Sequence, residues 1–415
     1  MGAFEGMRGL RHTRALLLLW TVAWIGAAVW PAAAEDRVIA RATEATPSTG
    51  SKTVLARTGA ESTAARATKT AAKAPAPAAK KASTRTARVP TYGNPAASDD
   101  PSRDDPVVRE AAVEALGNFM GSIVAVDPAN GRILTVVNQE LAFSGGYQPC
   151  SSFKPAVALA ALGEGIIKTD SNRLKLGSKL YLTLQRALEI SNNLYFETLG
   201  RKLGIEKLQE YARNFGFGEP AGWNLEPEPA GKFPDTPPSA KAGGVGKIAS
   251  FGQGISMTLF QLASFTGALA NGGTLYYLQY PDQGQPFEPK IKRKLDLGPS
   301  LDVVREGMEQ AVLTGTARRA KQPDVHLYGK TGTCSQNGAR LGWFTGYNSE
   351  PGGIAVAILL RTGQRLGGGP RASEVAGKLF RKLGDQNFYE ARSIRKPLPS
   401  TLPASIQMPE FPGLP

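Results

Sequence analysis

Three short stretches carry most of the chemistry this sequence can offer. The first is Ser151-Ser152-Phe153-Lys154, followed by Pro155 and an apolar run. Ser151 and Lys154 are spaced i, i+3, which on a helix puts both side chains on one face. Pro155 suits the first turn of a helix. Ser151 is therefore expected at a helix N-terminus, where the backbone dipole favours a developing negative charge. Ser152 has no lysine three residues on, so Ser151 is the better nucleophile candidate. A second S-x-x-K, Ser393-Ile394-Arg395-Lys396, lies in a proline-rich stretch with no helix expected to hold it. The second stretch is Ser191-Asn192-Asn193, between two helical patterns, where the same residues would also serve as a helix cap. The third is Lys330-Thr331-Gly332-Thr333 on an expected strand. There a lysine interrupts apolar residues and Gly332 permits close backbone approach, although an edge strand guarded by a lysine reads the same way.

Scarcity narrows the chemistry. The chain has two histidines, His12 and His326, and two cysteines, Cys150 and Cys334. A serine–histidine–aspartate triad would have to use His326, a histidine-rich metal site is excluded, and two cysteines cannot make a four-cysteine zinc site. For a serine nucleophile, lysine is then the expected base. Strand parity puts His326 on the face of Lys330; the competing reading is a packed or surface histidine.

The elements that must position these residues follow from the patterning. A helix is expected at 107–116. Strands at 121–126 and 132–137 flank the turn Pro128-Ala129-Asn130-Gly131 and form a hairpin. A buried helix covers 155–162, closed by Gly163 and Gly165. Helical patterns recur at 182–189, 195–203, 205–215 and 259–270, strands at 325–329, 342–347 and 354–360, and a closing helix at 372–383. This order predicts an α+β fold, an antiparallel sheet covered by helices plus a helical lobe.

With 415 residues and 41% hydrophobic content the chain can bury a substantial core. Arg8, Arg11 and Arg14, an apolar run at 15–30 and Pro31-Ala32-Ala33-Ala34 make a signal peptide with cleavage expected after Ala34. The alternative is an uncleaved anchor formed by 15–30. Both readings export the remainder to the periplasm or cell-wall zone. Residues 35–105 are expected to be a disordered linker rich in Ala, Thr, Lys and Pro. Between 37 and 98 there are eleven lysines and arginines against two glutamates, so most of the net charge of +14 sits there. That argues against a nucleic-acid partner for the folded part. An exported basic segment is better matched to anionic cell-wall polymer or lipid headgroups, or is a solvated spacer. The folded domain is expected at 106–392, and 393–415 is read as an irregular proline-rich tail.

S-x-x-K, S-x-N and K-T-G in this order are the joint signature of penicillin-binding proteins and class A β-lactamases. From about Phe119 to Asp385 the chain resembles the transpeptidase domain of penicillin-binding proteins. The hairpin "GSIVAVDPANGRILTVV", the block "FGQGISMTLFQLASFTGALANGG", and the segments "GMEQAVLTGTARRA" and "LGWFTGY" add to the motifs. The resemblance implies a β-lactamase/transpeptidase-like fold, no cofactor and no metal. It implies that Ser151 is acylated by a D-Ala-D-Ala stem peptide or a β-lactam, with a neutral Lys154 as base. Ser191 would relay a proton to the leaving group and Asn193 would hold the substrate amide. Lys330, Thr331 and Thr333 would bind its carboxylate beside Gly332, and the backbone N–H groups of Ser151 and Thr333 would form the oxyanion hole.

Cys150 and Cys334 are the chain neighbours of those two implied donors, which must converge on one oxygen. A Cys150–Cys334 disulfide is therefore expected in an exported chain. A bridge at the same motif-relative positions occurs in some class A carbapenem-hydrolysing β-lactamases; two free thiols are the alternative. The chain departs from the family where Cys150 replaces the usual glycine. It departs again where Thr258-Leu259-Phe260-Gln261 replaces T-P-L-Q, a change that helix packing should tolerate. The reading also expects no large pedestal or glycosyltransferase module before the domain. The implied activity is D,D-transpeptidase or D,D-carboxypeptidase. The alternatives are a β-lactamase, with Glu164, Glu226 or Glu228 as the water-activating base, and a β-lactam or muropeptide sensor that does not turn over.

Overall fold

The structure, a computed structural model, describes residues 89–282, 284–363 and 367–395. The leader or anchor at 1–34, the basic segment up to residue 88 and residues 396–415 lie outside these. No described helix is long and apolar enough to cross a membrane.

Its centre is a five-stranded antiparallel sheet in the order β2-β1-β9-β8-β7. These strands are β1 (Gly121–Val126), β2 (Ile133–Val137), β7 (Leu327–Gln336), β8 (Ala339–Asn348) and β9 (Ala355–Thr362). The expected 128–131 turn joins β1 to β2: Asp127 caps it through Ala129 N at 2.9 Å, and Gly131 carries a φ of 79°. Two small ribbons, β3 (Leu174–Lys175) with β4 (Tyr181–Leu182) and β5 (Thr274–Tyr276) with β6 (Ile291–Lys294), stand apart from the sheet.

Both faces of the sheet are covered, which is why β1, β2 and β9 read as near-continuous apolar runs. On β9 the alternation is explicit: Ala355, Ala357 and Leu359 enter one core, and Val356, Ile358 and Leu360 the other. The second core is closed by α1 (Pro106–Leu116), α9 (Gly369–Asp385) and α10 (Phe388–Arg395). Ala372, Val375, Ala376, Leu379, Phe380 and Leu383 form the buried stripe of α9 at helical spacing. The first core is closed by the helical lobe: α2 (Gln139–Phe143), α3 (Lys154–Gly163), α4 (Leu184–Glu189), α5 (Asn193–Asn214), α6 (Gly244–Phe251), α7 (Leu259–Asn271) and α8 (Ser300–Leu313). The sequence split α5 at residue 204, and the backbone does break there, at Gly204 with φ 78° and ψ 172°. Thr258 and Gln261 form a reciprocal capping box on α7, while Phe260 packs on Phe143. The altered T-L-F-Q block is thus accommodated.

Two boundaries need correction. The linker does not run to 105, because residues 89–105 lie against the domain. Asp99 accepts hydrogen bonds from Asn138 N at 2.8 Å and Gln139 N at 2.7 Å and pairs with Arg109 at 2.7 Å. Met120 N donates to Thr91 O, and the Tyr92 and Phe119 rings sit 5.3 Å apart. Low hydrophobicity hid this arm, since polar contacts rather than apolar burial hold much of it. Nor does the tail begin as irregular chain at 393. Ser393 is helical, in α10, and its hydroxyl donates to Glu390 O. Arg392 anchors that helix on buried Asp127 at 2.5 Å.

Candidate active site

Ser151 lies in a single 3-10 turn, Cys150–Phe153, which runs straight into α3. The helix begins at Lys154, with Pro155 in its first turn as the sequence requires. Ser151 is 9% exposed and Lys154 is fully buried. The Ser151 hydroxyl donates a long hydrogen bond, 3.5 Å, to Ser250 O at the end of α6.

A buried amino group must find partners, and Lys154 finds three acceptors, two on Ser191 in the loop after α4 and one on Asn193 at the start of α5. Its Nζ donates to Ser191 O at 2.7 Å, Asn193 Oδ1 at 2.7 Å and Ser191 Oγ at 3.2 Å. The cap reading of this loop also holds, through its middle residue: Asn192 Oδ1 accepts from Tyr195 N and caps α5. Ser191 and Asn193 on either side are left to meet the lysine. From across the site Lys330 Nζ donates to Ser191 Oγ at 2.9 Å and to Thr331 O at 2.9 Å. One serine hydroxyl thus touches both lysines. Burial first, and then the charge of Lys330, hold Lys154 well below the ordinary lysine range, against an upward pull from Glu197. Burial brings Lys330 down to about 7.

Strand β7 is an edge strand, paired with β8 on one side only. Its other side lies along the Cys150–Phe153 turn. A Cβ on Gly332 would come within 2.8 Å of Pro149 O and 3.1 Å of Ser152 N, so only glycine allows this approach. Two residues on, Cys334 is bonded to Cys150, with the Cα atoms 5.7 Å apart. The expected disulfide is present. Gln148 holds the start of the turn: its carbonyl accepts from Trp343 Nε1 at 2.9 Å and its Nε2 donates to Phe251 O at 2.9 Å.

Lys330, Gly332 and Cys334 share one face of β7, and Thr331 and Thr333 take the other. The Thr331 hydroxyl donates to Thr316 Oγ1 at 2.8 Å, and Thr333 Oγ1 accepts from Gly369 N at 2.7 Å, at the start of α9. Thr316 was not singled out from the sequence, although its segment "TGTARRA" was. It belongs to a strap after α8 that ties the two walls together. Thr316 N donates to Glu189 O, Thr314 Oγ1 donates to Glu189 Oε1, and a Cβ on Gly315 would clash with Glu189 O.

The remaining candidates lie outside this cluster. His326 is the surface histidine of its competing reading: it is exposed, stacks on Tyr328 and pairs with Glu309 Oε1 at 2.5 Å. Glu164 sits at the far end of α3, paired with Lys207 at 3.2 Å. Glu226 is exposed. Glu228 accepts from Ala221 N and Gly222 N and takes a bond from Thr258 Oγ1, which commits its carboxylate to a loop.

A family model, the penicillin-binding protein transpeptidase domain, matches residues 121–383, a span that takes in all three motif stretches. The chain belongs to that family. Among individual relatives, stage V sporulation protein D of Bacillus subtilis (strain 168) is 30% identical over 257 residues, covering 51% of this chain and 39% of that protein. Peptidoglycan D,D-transpeptidase MrdA of Acinetobacter baumannii is 26% identical over 348 residues, covering 65% of this chain and 51% of that protein. The chain therefore spans between two-fifths and about half the length of these two relatives. A crystal structure of Pseudomonas aeruginosa penicillin-binding protein 2 in complex with WCK 5153 superposes with a TM-score of 0.57 at 28% identity, covering 68% of this chain and 77% of that one. The transpeptidase domain of Burkholderia pseudomallei penicillin-binding protein 3 gives 0.56 at 22% identity and shares the fold.

Proposed function

We propose that this chain is a serine D,D-transpeptidase or D,D-carboxypeptidase acting on peptidoglycan stem peptides, and that β-lactams acylate it at the same serine. The observation that carries the reading is the convergence on Ser191 Oγ of Lys330 and of Lys154, the residue three positions after Ser151. A lysine held neutral by burial is a base at physiological pH. Lys154 Nζ takes the proton of Ser151 Oγ as that oxygen attacks the carbonyl carbon of the penultimate D-Ala. The negative charge that develops on the carbonyl oxygen falls to the N–H groups of Ser151 and Thr333. As the tetrahedral adduct collapses, the C–N bond breaks and the departing amine collects a proton through Ser191. Asn193 holds the substrate amide, and Lys330, Thr331 and Thr333 take the terminal carboxylate. The ester on Ser151 then passes to an amine, giving a cross-link, or to water.

A β-lactamase needs a base beside the ester to activate water for its hydrolysis, and in the class A pattern that base is a glutamate. The placements of Glu164, Glu226 and Glu228 do not favour that reading. The proposal places the domain outside the cytoplasmic membrane, with the basic segment against anionic cell-wall polymer or lipid headgroups.

The test is turnover of an acetylated stem pentapeptide ending in D-Ala-D-Ala, with and without a D-amino acid as acceptor. One equivalent of D-Ala released per peptide, absent from Ser151→Ala, is expected. Product joined to the acceptor assigns transpeptidation, and hydrolysed product alone assigns carboxypeptidation. No release with intact, folded protein would refute the proposal and leave a sensor.

A further inference from the structure

Six described non-glycine residues have a positive φ: Asn138, Cys150, Ser191, Asn224, Asn337 and Asn387. Four are asparagines, the side chain best able to tolerate a left-handed backbone through local hydrogen bonds. Cys150 and Ser191 have no such device, and both lie in the candidate active site. Cys150, at φ 54°, directly precedes the nucleophile candidate at the position where the resemblance leads one to expect glycine. Glycine adopts this conformation freely; a residue with a Cβ holds it only when its surroundings over-determine it.

The surroundings of Cys150 supply one such constraint, a covalent bond to Cys334 on β7 across 5.7 Å between Cα atoms. We infer that the Cys150–Cys334 bridge does the work of the missing glycine. It locks the left-handed turn that aims the Ser151 hydroxyl and amide, so acylation of Ser151 depends on the oxidation state of the bridge. The inference rests on the acyl-enzyme reading above. Ser152 N and Oγ close on Pro149 O across the turn, but among these contacts only the bond to Cys334 holds the Cys150 side chain covalently. Trp343, Gln336 and Phe251 fix Gln148, two residues earlier, and Gly332 only lets the strand approach. Cys150 is therefore a positioning residue that acts through Ser151. Access runs from the strand side, since Cys150 is fully buried and Cys334 is partly exposed. A thiol reductant that attacks the Cys334 sulfur expels Cys150 as thiolate. With a dithiol, two electrons and two protons pass to the bridge, leaving two cysteine thiols and the cyclic disulfide of the reductant.

The test uses the full chain in three forms: wild type, Cys150→Ser/Cys334→Ser and Cys150→Gly/Cys334→Ser. Wild type is studied oxidised, and again after reduction with dithiothreitol and removal of the reductant without oxygen. Thiols are counted by mass and folding is checked by thermal melting. The limiting rate and half-saturating concentration of acylation by a fluorescent penicillin are then measured. Opening the bridge in wild type is expected to lower the limiting rate roughly ten- to a hundredfold with little change in half-saturation, as displacement of attacking and oxyanion groups would. The Ser/Ser variant should match reduced wild type. The Gly/Ser variant should recover most of the oxidised rate and ignore reductant, a rescue that a merely mechanical clamp would not give. Should Ser/Ser fail to melt cooperatively, reduced wild type against Gly/Ser decides the question. Reduced wild type with two counted thiols and an unchanged rate overturns the inference, as does a Gly/Ser variant as slow as reduced wild type. Failure of oxidised wild type to be acylated at all is a separate signature and overturns the acyl-enzyme reading with it.

Discussion

Lys154 and Lys330 compete for one hydroxyl, and their surroundings give them different titrations. Lys154 is lowered by burial and by the charge of Lys330, whereas burial alone lowers Lys330, to about 7. In the proposed reaction each lysine matters in a different form: Lys154 neutral, to accept a proton, and Lys330 charged, to attract a carboxylate. Acylation by benzylpenicillin should therefore rise with pH as Lys154 deprotonates and fall as Lys330 loses its proton through about 7. Lys330→Arg keeps the charge at high pH and should move the falling limb upward, at some cost in rate because the guanidinium is larger. A pH profile of the second-order acylation constant checks this, and a profile flat from acid to alkali contradicts it. At this scale much was legible. Lys154, Ser191, Asn193 and Lys330 meet through hydrogen bonds, and Ser151 stands in the turn that leads into Lys154; spacing links only Ser151 with Lys154, and the rest of the grouping follows from the resemblance. Thr316 and Glu189 were not legible. Their contribution is a strap between walls far apart in sequence, and nothing in their own neighbourhood announces it.

Among elements, the decisive contact is an edge strand laid along a 3-10 turn. It depends on Gly332, where a Cβ would press on the rigid atoms Pro149 O and Ser152 N rather than on a movable side chain. Gly332→Ala should push β7 off the turn and cut the acylation rate by roughly a hundredfold. Melting should fall by only a few degrees, since most of the sheet is untouched. Stopped-flow acylation and calorimetry on the same sample separate the two effects; near-wild-type acylation would mean the strand does not need this approach. The five strands of the central sheet and most of the long helices were readable because burial imposes a period on them, but α8 was not expected although Leu301, Val304, Met308 and Ala311 form a buried stripe at helical spacing, and neither were the short ribbons β3 to β6. Helix α6 was missed because glycines dilute its pattern, and the Cys150–Phe153 turn because it is too short to have one.

Over the whole molecule, two cores back to back on one sheet hold the three motifs in register, and the disulfide ties the first motif to the third. The domain extends further toward the N-terminus than composition suggested. Arg109 is hydrogen-bonded to Asp99, Asp104 and Val136 O, a polar clasp that a search for apolar runs passes over. The central claim is that this frame exists to make Ser151 a nucleophile. Intact mass followed over time after mixing the full chain with benzylpenicillin, beside Ser151→Ala, tests that claim most directly. The account predicts a single stable adduct of one penicilloyl group, mapped to Ser151 and absent from the variant. No adduct on folded wild type, or an adduct on the variant, would contradict it; an adduct on Ser151 that disappears while penicillin is consumed would instead replace the transpeptidase reading with a β-lactamase.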